Sequence, residues 1–547
     1  MPLARHVDPE ALVQKLQESA HSAPGKHTYK LAESSLTPYS NKYSVTELAK
    51  HKLPKEGAPA GAVAQMIRDE LDLDGRPNLN LASFVGTYME KEAEQLMVEN
   101  LSKNMSDADE YPAMMDIHSR CISMIAHMWG VQKGEQAIGS ATTGSSEAIH
   151  LGGLAMKQLW KEKRQAAGKD ISKPNILMGA NAQVALEKFA RYFDVEARIL
   201  PVSEKSRWVL DPETVRENVD ENTIGVFVIL GSTYTGVYED VEAVSKVLDE
   251  YEEKSGNYIP IHVDAASGGF VAPFTHAHAG VPWNFELPRV HSINVSGHKF
   301  GLVYAGVGWI VWRDEKYLPK HLIFELHYLG GTEESFTLNF SRPGAQIIGQ
   351  YYNLVHLGYK GYQEIMEHVL SNARLLSNTL EATGWYQCVS DIHRKKGDYK
   401  FVEGQGPCED SETSEAYNAG LPVVAFRFTD NFKKEHPRIG QEAVSKMMRM
   451  KGYIIPNYPL PPDGESIEIL RVVVRESMAL DLMDKLISDL AQVTESLIEI
   501  EDDFDIASWN PFPKKGSSTK SKSNQGGDDG KEKNNSDMTG GVHRSVC

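Results

Sequence analysis

From about residue 76 to residue 361 the hydrophobic positions switch between a helical period and short apolar runs. The switching predicts helices near 89–102, 115–128, 183–192 and 240–252, and strands at 175–179, 224–230, 259–263 and around 290–312. Alternation of this kind predicts an α/β domain, a mainly parallel sheet covered by helices on both faces. Past it, a helical segment at 365–381, strands near 422–428 and 467–474 and a long helix at 478–498 predict a smaller α+β C-terminal domain over 362–505. Residues 1–75 are polar, are broken by Pro24, Pro38, Pro54 and Pro59, and carry one short helical pattern near 11–16, which describes an N-terminal arm. The charged stretch between Cys388 and Asn418 has little periodicity and is predicted to be a surface excursion. Residues 506–547 form a polar, low-complexity tail that cannot bury enough surface to fold.

Composition narrows the partners. A chain of 547 residues with 41% hydrophobic content builds a large core and two or more domains. A net charge of −18 argues against nonspecific binding to nucleic acid or to anionic membranes. Cys121, Cys388, Cys408 and Cys547 are widely spaced, with no paired or metal-ligand pattern, so no metal is expected and a reducing compartment is the simple reading. The N-terminus does not look like a signal peptide and no apolar run is long enough to span a bilayer, which predicts a soluble, cytoplasmic protein.

Candidate chemistry centres on Asn294-Val-Ser-Gly-His-Lys-Phe-Gly301. Flanked by Val290, Ile293 and Val295 and by the apolar run from Leu302 to Trp312, it reads as a turn between two buried strands. An unpartnered ammonium in such a place costs several kcal/mol, so a buried lysine tends to shed its proton and become a nucleophile toward carbonyls. Alone, Lys299 reads better as a strand-capping residue pointing to solvent. Asp264 alters that reading, because the apolar run 259–263 leads into it and three small residues follow, as where a central parallel strand ends at a ligand-binding edge. Lysine and carboxylate together meet the needs of pyridoxal 5′-phosphate, an amine for the Schiff base and an acid partner for the pyridine nitrogen. Gly139-Ser-Ala-Thr-Thr-Gly-Ser-Ser-Glu-Ala-Ile-His150 runs into a helical pattern and places Ser145 and Ser146 at a helix N-terminus, suited to the phosphate.

These motifs, with Asn80-Leu-Ala-Ser-Phe84, Lys188-Phe-Ala-Arg-Tyr192, Thr233-Tyr-Thr-Gly236, Tyr328-Leu-Gly-Gly331 and Asn339-Phe-Ser-Arg-Pro343, carry a resemblance to the glutamate decarboxylases from about residue 60 to 505. The resemblance implies the aspartate-aminotransferase-like fold of pyridoxal-phosphate enzymes (fold type I), with the cofactor domain at 76–361, and conversion of L-glutamate to γ-aminobutyrate and carbon dioxide. It implies Lys299 as the Schiff-base lysine, Asp264 as the partner of the pyridine nitrogen and Tyr328, on a lid loop, as the group that directs the final proton. Ser145, Ser146, Ser296 and His298 resemble cofactor contacts on this chain, Gln183 packs over the ring, and Thr233 and Ala266 flank it. Ser341 resembles a phosphate contact reaching in from a neighbouring subunit, so a homo-oligomer with a site shared across a dimer is implied.

Arg471 resembles the receiver of the substrate α-carboxylate, with Arg475 as a rival, and Ser83, Phe84, Asn104 and Asp107 align with the pocket for the distal carboxylate. An Asp facing a substrate carboxylate implies better function in mild acid. One departure stands beside Gln183, where Leu186 occupies a position at which an aromatic residue is expected. Some members bind calmodulin through the tail, but Trp509 and the six lysines from 514 to 533 lack an amphipathic apolar face, so solvated disorder is the expectation. A relative acting on a different substrate and a non-catalytic cofactor-binding relative are the alternatives, and retention of Lys299 and Asp264 argues against the second.

Overall fold

Fully buried strands need side chains that are apolar or internally hydrogen-bonded on both faces, and the central strands here are built that way. The computed structural model describes residues 51–276, 282–326, 333–402 and 413–501, with His6, Asp8 and Ala11. Seven strands form the main sheet: β1 (Ile138–Thr142), β2 (Asn175–Gly179), β3 (Glu196–Leu200), β4 (Thr223–Ile229), β5 (Ile261–Asp264), β6 (Val290–Val295) and β7 (Gly308–Trp312). They are ordered β1-β7-β6-β5-β4-β2-β3, and every residue of β2, β4, β5, β6 and β7 is buried. Pairing is parallel from β6 through β3, and β7 runs antiparallel to both of its neighbours. This is the mainly parallel sheet the pattern predicts, and the predicted strands at 175–179, 224–230 and 259–263 coincide with β2, β4 and β5 within two residues.

Two strands of this sheet escape the pattern, and one helix is longer than the pattern predicts. Residues 139–142 read in sequence only as the approach to the Ser145 helix, yet they pair with β7 in β1, where a Cβ on Gly139 would stand 2.4 Å from the Ile310 carbonyl oxygen. Gly, Ser and Ala carry no strand propensity, and pairing with a buried partner supplies what propensity does not. β3, at the edge, has mostly exposed side chains. The helical segment expected at 365–381 is the second half of a 38-residue helix, Ala345–Ala382, kinked at Gly358 with φ 57° and ψ −171°.

The remaining strands form two small sheets. β8 (Phe324–Leu326) pairs with β9 (Glu333–Ser335), and a four-stranded antiparallel sheet has the order β10-β11-β13-β12, from Tyr386–Cys388, Val423–Phe428, Glu468–Val473 and Asn457–Pro459. The helix Gln441–Met450 packs on it and on the helix Leu480–Glu501, whose Thr494 hydroxyl lies 2.7 Å from that of Tyr386 in β10. Residues 1–76 form a unit of their own, whose described part holds the helix Ala60–Leu71 with no buried side chain. The helical pattern near 11–16, apart from Ala11, and the tail at 506–547 lie outside the described residues. Among the described residues no helix is long and apolar enough to cross a membrane.

The surface excursion expected between Cys388 and Asn418 is corrected at both described ends. Ser390, Asp391, Ile392, His393 and Arg394 are buried, as are Ser414, Tyr417 and Asn418. Asp391 accepts two hydrogen bonds from Arg207, each 2.7 Å, and Glu381 accepts from His393 at 3.0 Å and from Arg394 at 2.5 Å. Burial through paired charges leaves no apolar period for a sequence reading to find.

Candidate active site

The carboxyl ends of β4, β5 and β6 meet the start of the helix Ser145–Ala166 around a cavity of about 240 Å³. Gly144 precedes that helix and offers no side-chain cap, so the first-turn N–H groups of Ser145 and Ser146 remain to bind an anion. The approach is held by Glu147, whose carboxylate accepts from the Thr143 N–H at 2.8 Å, the Thr143 hydroxyl at 3.0 Å and the Asn339 N–H at 3.1 Å. The Ser145 and Ser296 hydroxyls lie 2.7 Å apart in the same wall. The His298 ring closes it; its Nδ1 is buried with no hydrogen-bond partner, and burial with the neighbouring Lys299 charge lowers its pKa to about 4.

Lys299 sits in the turn between β6 and β7, where a Cβ on Gly301 would come within 2.5 Å of the Gly297 carbonyl oxygen. The tightness of that turn carries the amine inward. Lys299 is 5% exposed, its Nζ donates to the Ser267 hydroxyl at 3.3 Å, and it lies 5.4 Å from the centre of the Phe84 ring. Behind the turn, the amide of Gln350 and the hydroxyl of Tyr362 donate to the Gly301 carbonyl, and Asn353 donates to that of Leu302.

Asp264 ends β5 and is 4% exposed. Burial pushes its carboxyl up from the usual range, opposed by a hydrogen bond from the Asn294 amide at 2.9 Å, the charge of Lys299 and the Ala266 N–H at 3.1 Å. Gln183 caps the helix Val184–Tyr192 by accepting from the Ala185 N–H at 2.9 Å, and it lines the cavity with Thr233 and Ala266. Leu186 does not line it. It is fully buried in a core cluster with Ile149, Phe189 and Ile229.

Arg471, on β13, is 1% exposed and reaches the same edge, donating to the Thr233 carbonyl at 2.6 Å and to that of Ala82, with its guanidinium 5.1 Å from the Phe84 ring centre. The rival Arg475 instead donates to the carbonyls of Val85, Pro77 and Asn80 and staples that segment. The cavity thus collects Ser145, Ser146, Gln183, Thr233 and Asp264 with Ala266, Ser296, His298 and Lys299, and Phe84 and Arg471 adjoin it.

Four expected residues stand apart. The Ser83 hydroxyl accepts from the Val85 N–H at 3.2 Å, the Asn104 amide donates to the exposed Ser341 at 3.2 Å, and Asp107 accepts from the Glu110 N–H at 3.2 Å; none of the four lines this chain's cavity. Tyr328 lies outside the described residues.

Sequence reading missed the residues that hold the others in place. Asn294 acts on Asp264 because β5 and β6 pair with those two residues opposite each other, and no local signal reveals a register. Glu239, with no motif around it, accepts from the Asn181 amide at 2.8 Å and from the Leu210 and Ile229 N–H groups, and burial lifts its pKa to about 7.

An anion cradle, an orphaned buried ring nitrogen, an amine and a buried carboxylate fit pyridoxal 5′-phosphate without adjustment. Comparisons with known proteins point the same way. Residues 58–396 match the pyridoxal-dependent decarboxylase conserved domain. Glutamate decarboxylase of Saccharomyces cerevisiae is 47% identical over 510 residues, covering 89% of this chain and 85% of that one. Among solved structures, Lactobacillus brevis glutamate decarboxylase aligns with TM-score 0.74 at 37% identity, over 84% of this chain and 97% of that one. Catharanthus roseus tryptophan decarboxylase, at 14% identity and TM-score 0.64 over 92% of this chain and all of that one, shares the fold.

Proposed function

The chain belongs to the pyridoxal-dependent decarboxylases, and from that premise we propose that it converts L-glutamate to γ-aminobutyrate and carbon dioxide. The observation that carries the reading is the placing of the Lys299 amine and the Asp264 carboxylate in one cavity, beneath an anion-binding helix start. When bound, the cofactor supplies a pyridine ring that accepts the electron pair left behind by the departing carbon dioxide.

The protein's own work is holding. The N–H groups of Ser145 and Ser146, with the Ser145 and Ser296 hydroxyls and His298, bind the phosphate. Asp264 would keep a proton on the pyridine nitrogen, and Lys299 would supply the amine that anchors the cofactor. Arg471 presents a planar guanidinium, already fixed by two carbonyls, to the substrate's α-carboxylate. Fixing that group aims the bond that breaks, which is how one ring chemistry is confined to decarboxylation. Cytoplasmic placement is part of the same reading, supported by Cys121 and Cys388, which are buried as free thiols.

Measuring carbon dioxide release from a panel of L-amino acids tests the substrate. Glutamate is expected to exceed aspartate, one methylene shorter, by roughly tenfold to 200-fold in kcat/KM. Preference for another amino acid would discard the glutamate assignment.

The site is further read as shared across a dimer, with Ser83, Asp107 and Ser341 serving the neighbouring chain. Support comes from their position outside this chain's own cavity. Mixing inactive Lys299→Ala and Asp107→Ala chains is expected to restore part of the activity. Demonstrated subunit exchange without recovery would reject the shared site.

A further inference from the structure

Strands β5 and β6 pair in parallel with His262 opposite Ser292 and Asp264 opposite Asn294. Side chains two residues apart on a strand share a face, so these four make a two-by-two polar block at the centre of the sheet. His262, Ser292 and Asn294 are fully buried. They form one continuous chain of hydrogen bonds: Ser292 Oγ to His262 Nδ1 at 2.7 Å, His262 Nε2 to Asn294 Oδ1 at 2.7 Å, and Asn294 Nδ2 to Asp264 Oδ1 at 2.9 Å.

We propose that His262 is a positioning residue which, through Asn294, keeps Asp264 in the ionised form that can hold a proton on the pyridine nitrogen. The inference rests on the cofactor reading given above. Its logic is one of donors and acceptors. An ionised Asp264 only accepts, so Asn294 must turn its NH₂ toward it and its carbonyl oxygen toward His262. That oxygen also only accepts, so His262 must carry its proton on Nε2, and the Ser292 hydroxyl, able to donate or accept, then supports this tautomer by donating to Nδ1. Without the Nε2 proton the amide is free to turn over and aim its oxygen at Asp264, an arrangement tolerable only when Asp264 is itself protonated. Proton position on His262 and charge on Asp264 are therefore linked.

The imidazole has no room to leave this arrangement. A Cβ on Gly152, in the helix that begins with Ser145, would stand 2.5 Å from its Nδ1, and the Phe227 ring meets it edge to face at 5.4 Å. Burial lowers the His262 pKa to about 4, which keeps the ring neutral as the chain of bonds requires. The charged groups that act on Asp264 from other elements are Lys299, in the turn after β6, and Glu239, after β4.

A histidine that merely filled space would leave the cofactor's protonation alone, so the test reads that proton. Pyridoxal 5′-phosphate labelled with ¹⁵N in the ring is bound to wild type, His262→Phe, His262→Gln and Ser292→Ala, and the nitrogen shift is recorded at neutral pH beside kcat and KM. In His262→Phe the ring nitrogen is expected to lose its proton and kcat to fall by about tenfold or more, with the glutamate KM nearly unchanged. His262→Gln, whose amide can donate to Asn294 and accept from Ser292, is expected to restore the protonated signal. Ser292→Ala deletes one oxygen, leaves the ring seated and is expected to shift the signal part-way. A still-protonated nitrogen in His262→Phe, or a Gln variant as defective as Phe, would overturn the proposal. Should His262→Phe not fold, an unchanged signal in Ser292→Ala would do so. An unprotonated nitrogen in the wild type would overturn the role given to Asp264 itself, and this inference with it.

Discussion

Lys299→Ala is expected to lower turnover by roughly four orders of magnitude or more and to leave no covalent attachment of the cofactor to the protein. Among the described residues that line the cavity, Lys299 is the one primary amine, and at 5% exposure no amine in solvent can take its place without entering the cavity. The deletion should be well tolerated by the fold. The turn is held by Gly297, Gly301 and the bonds from Gln350, Asn353 and Tyr362 to backbone carbonyls, none of which involves the lysine side chain. Borohydride reduction followed by peptide mapping makes the check: the wild type should carry the cofactor on the Lys299 peptide and the variant on none. A reducible adduct persisting in Lys299→Ala would transfer the role to another residue.

Asp264→Asn is expected to reduce kcat by roughly 10²–10⁴ while the protein still retains its cofactor. The two effects are expected to separate because the anion-binding helix start at Ser145 and the Asp264 carboxylate at the end of β5 are different parts of the cavity. An asparagine keeps the Oδ1 that accepts from Asn294 and from the Ala266 N–H, so the local geometry survives. What it loses is charge. A neutral amide cannot hold a proton on the ring nitrogen, and the ring becomes a weaker acceptor of electrons. Equilibrium dialysis beside steady-state kinetics separates the outcomes, and near-normal turnover would reject the electron-withdrawing role.

How much of this was legible beforehand follows from the range of each signal. Lys299, Asp264 and Ser145 announced themselves because each stands where an apolar run meets small residues, a pattern confined to a few neighbours along the chain. The strand at 138–142 did not, since Gly139, Ser140 and Ala141 become a strand only when β7 lies beside them. Nor did the segment at 388–394, whose burial depends on Arg207 and Glu381 supplying opposite charges from elsewhere. Asn294 is the instructive case. It stood in plain view five residues before Lys299, yet its task is set by which residue of β5 lies opposite it.

The kink at Gly358 divides one long helix between two duties. Its first half braces the turn that carries Lys299 through Gln350 and Asn353; its second half braces the same turn through Tyr362 and also ties into the small-sheet region, with Asn372 donating to the Met478 carbonyl and Ser377 accepting from Cys388. The Lys299 amine and the Arg471 guanidinium are thus mounted on different sheets, Lys299 beside β6 and Arg471 within β13. At Gly358 the φ of 57° and ψ of −171° break the helical course, and Gln350 before the break and Tyr362 after it both hold the Gly301 carbonyl. The bend at Gly358 thus lets one element act as an elbow bracket, touching the turn that carries Lys299 and, further along, the region that carries Arg471.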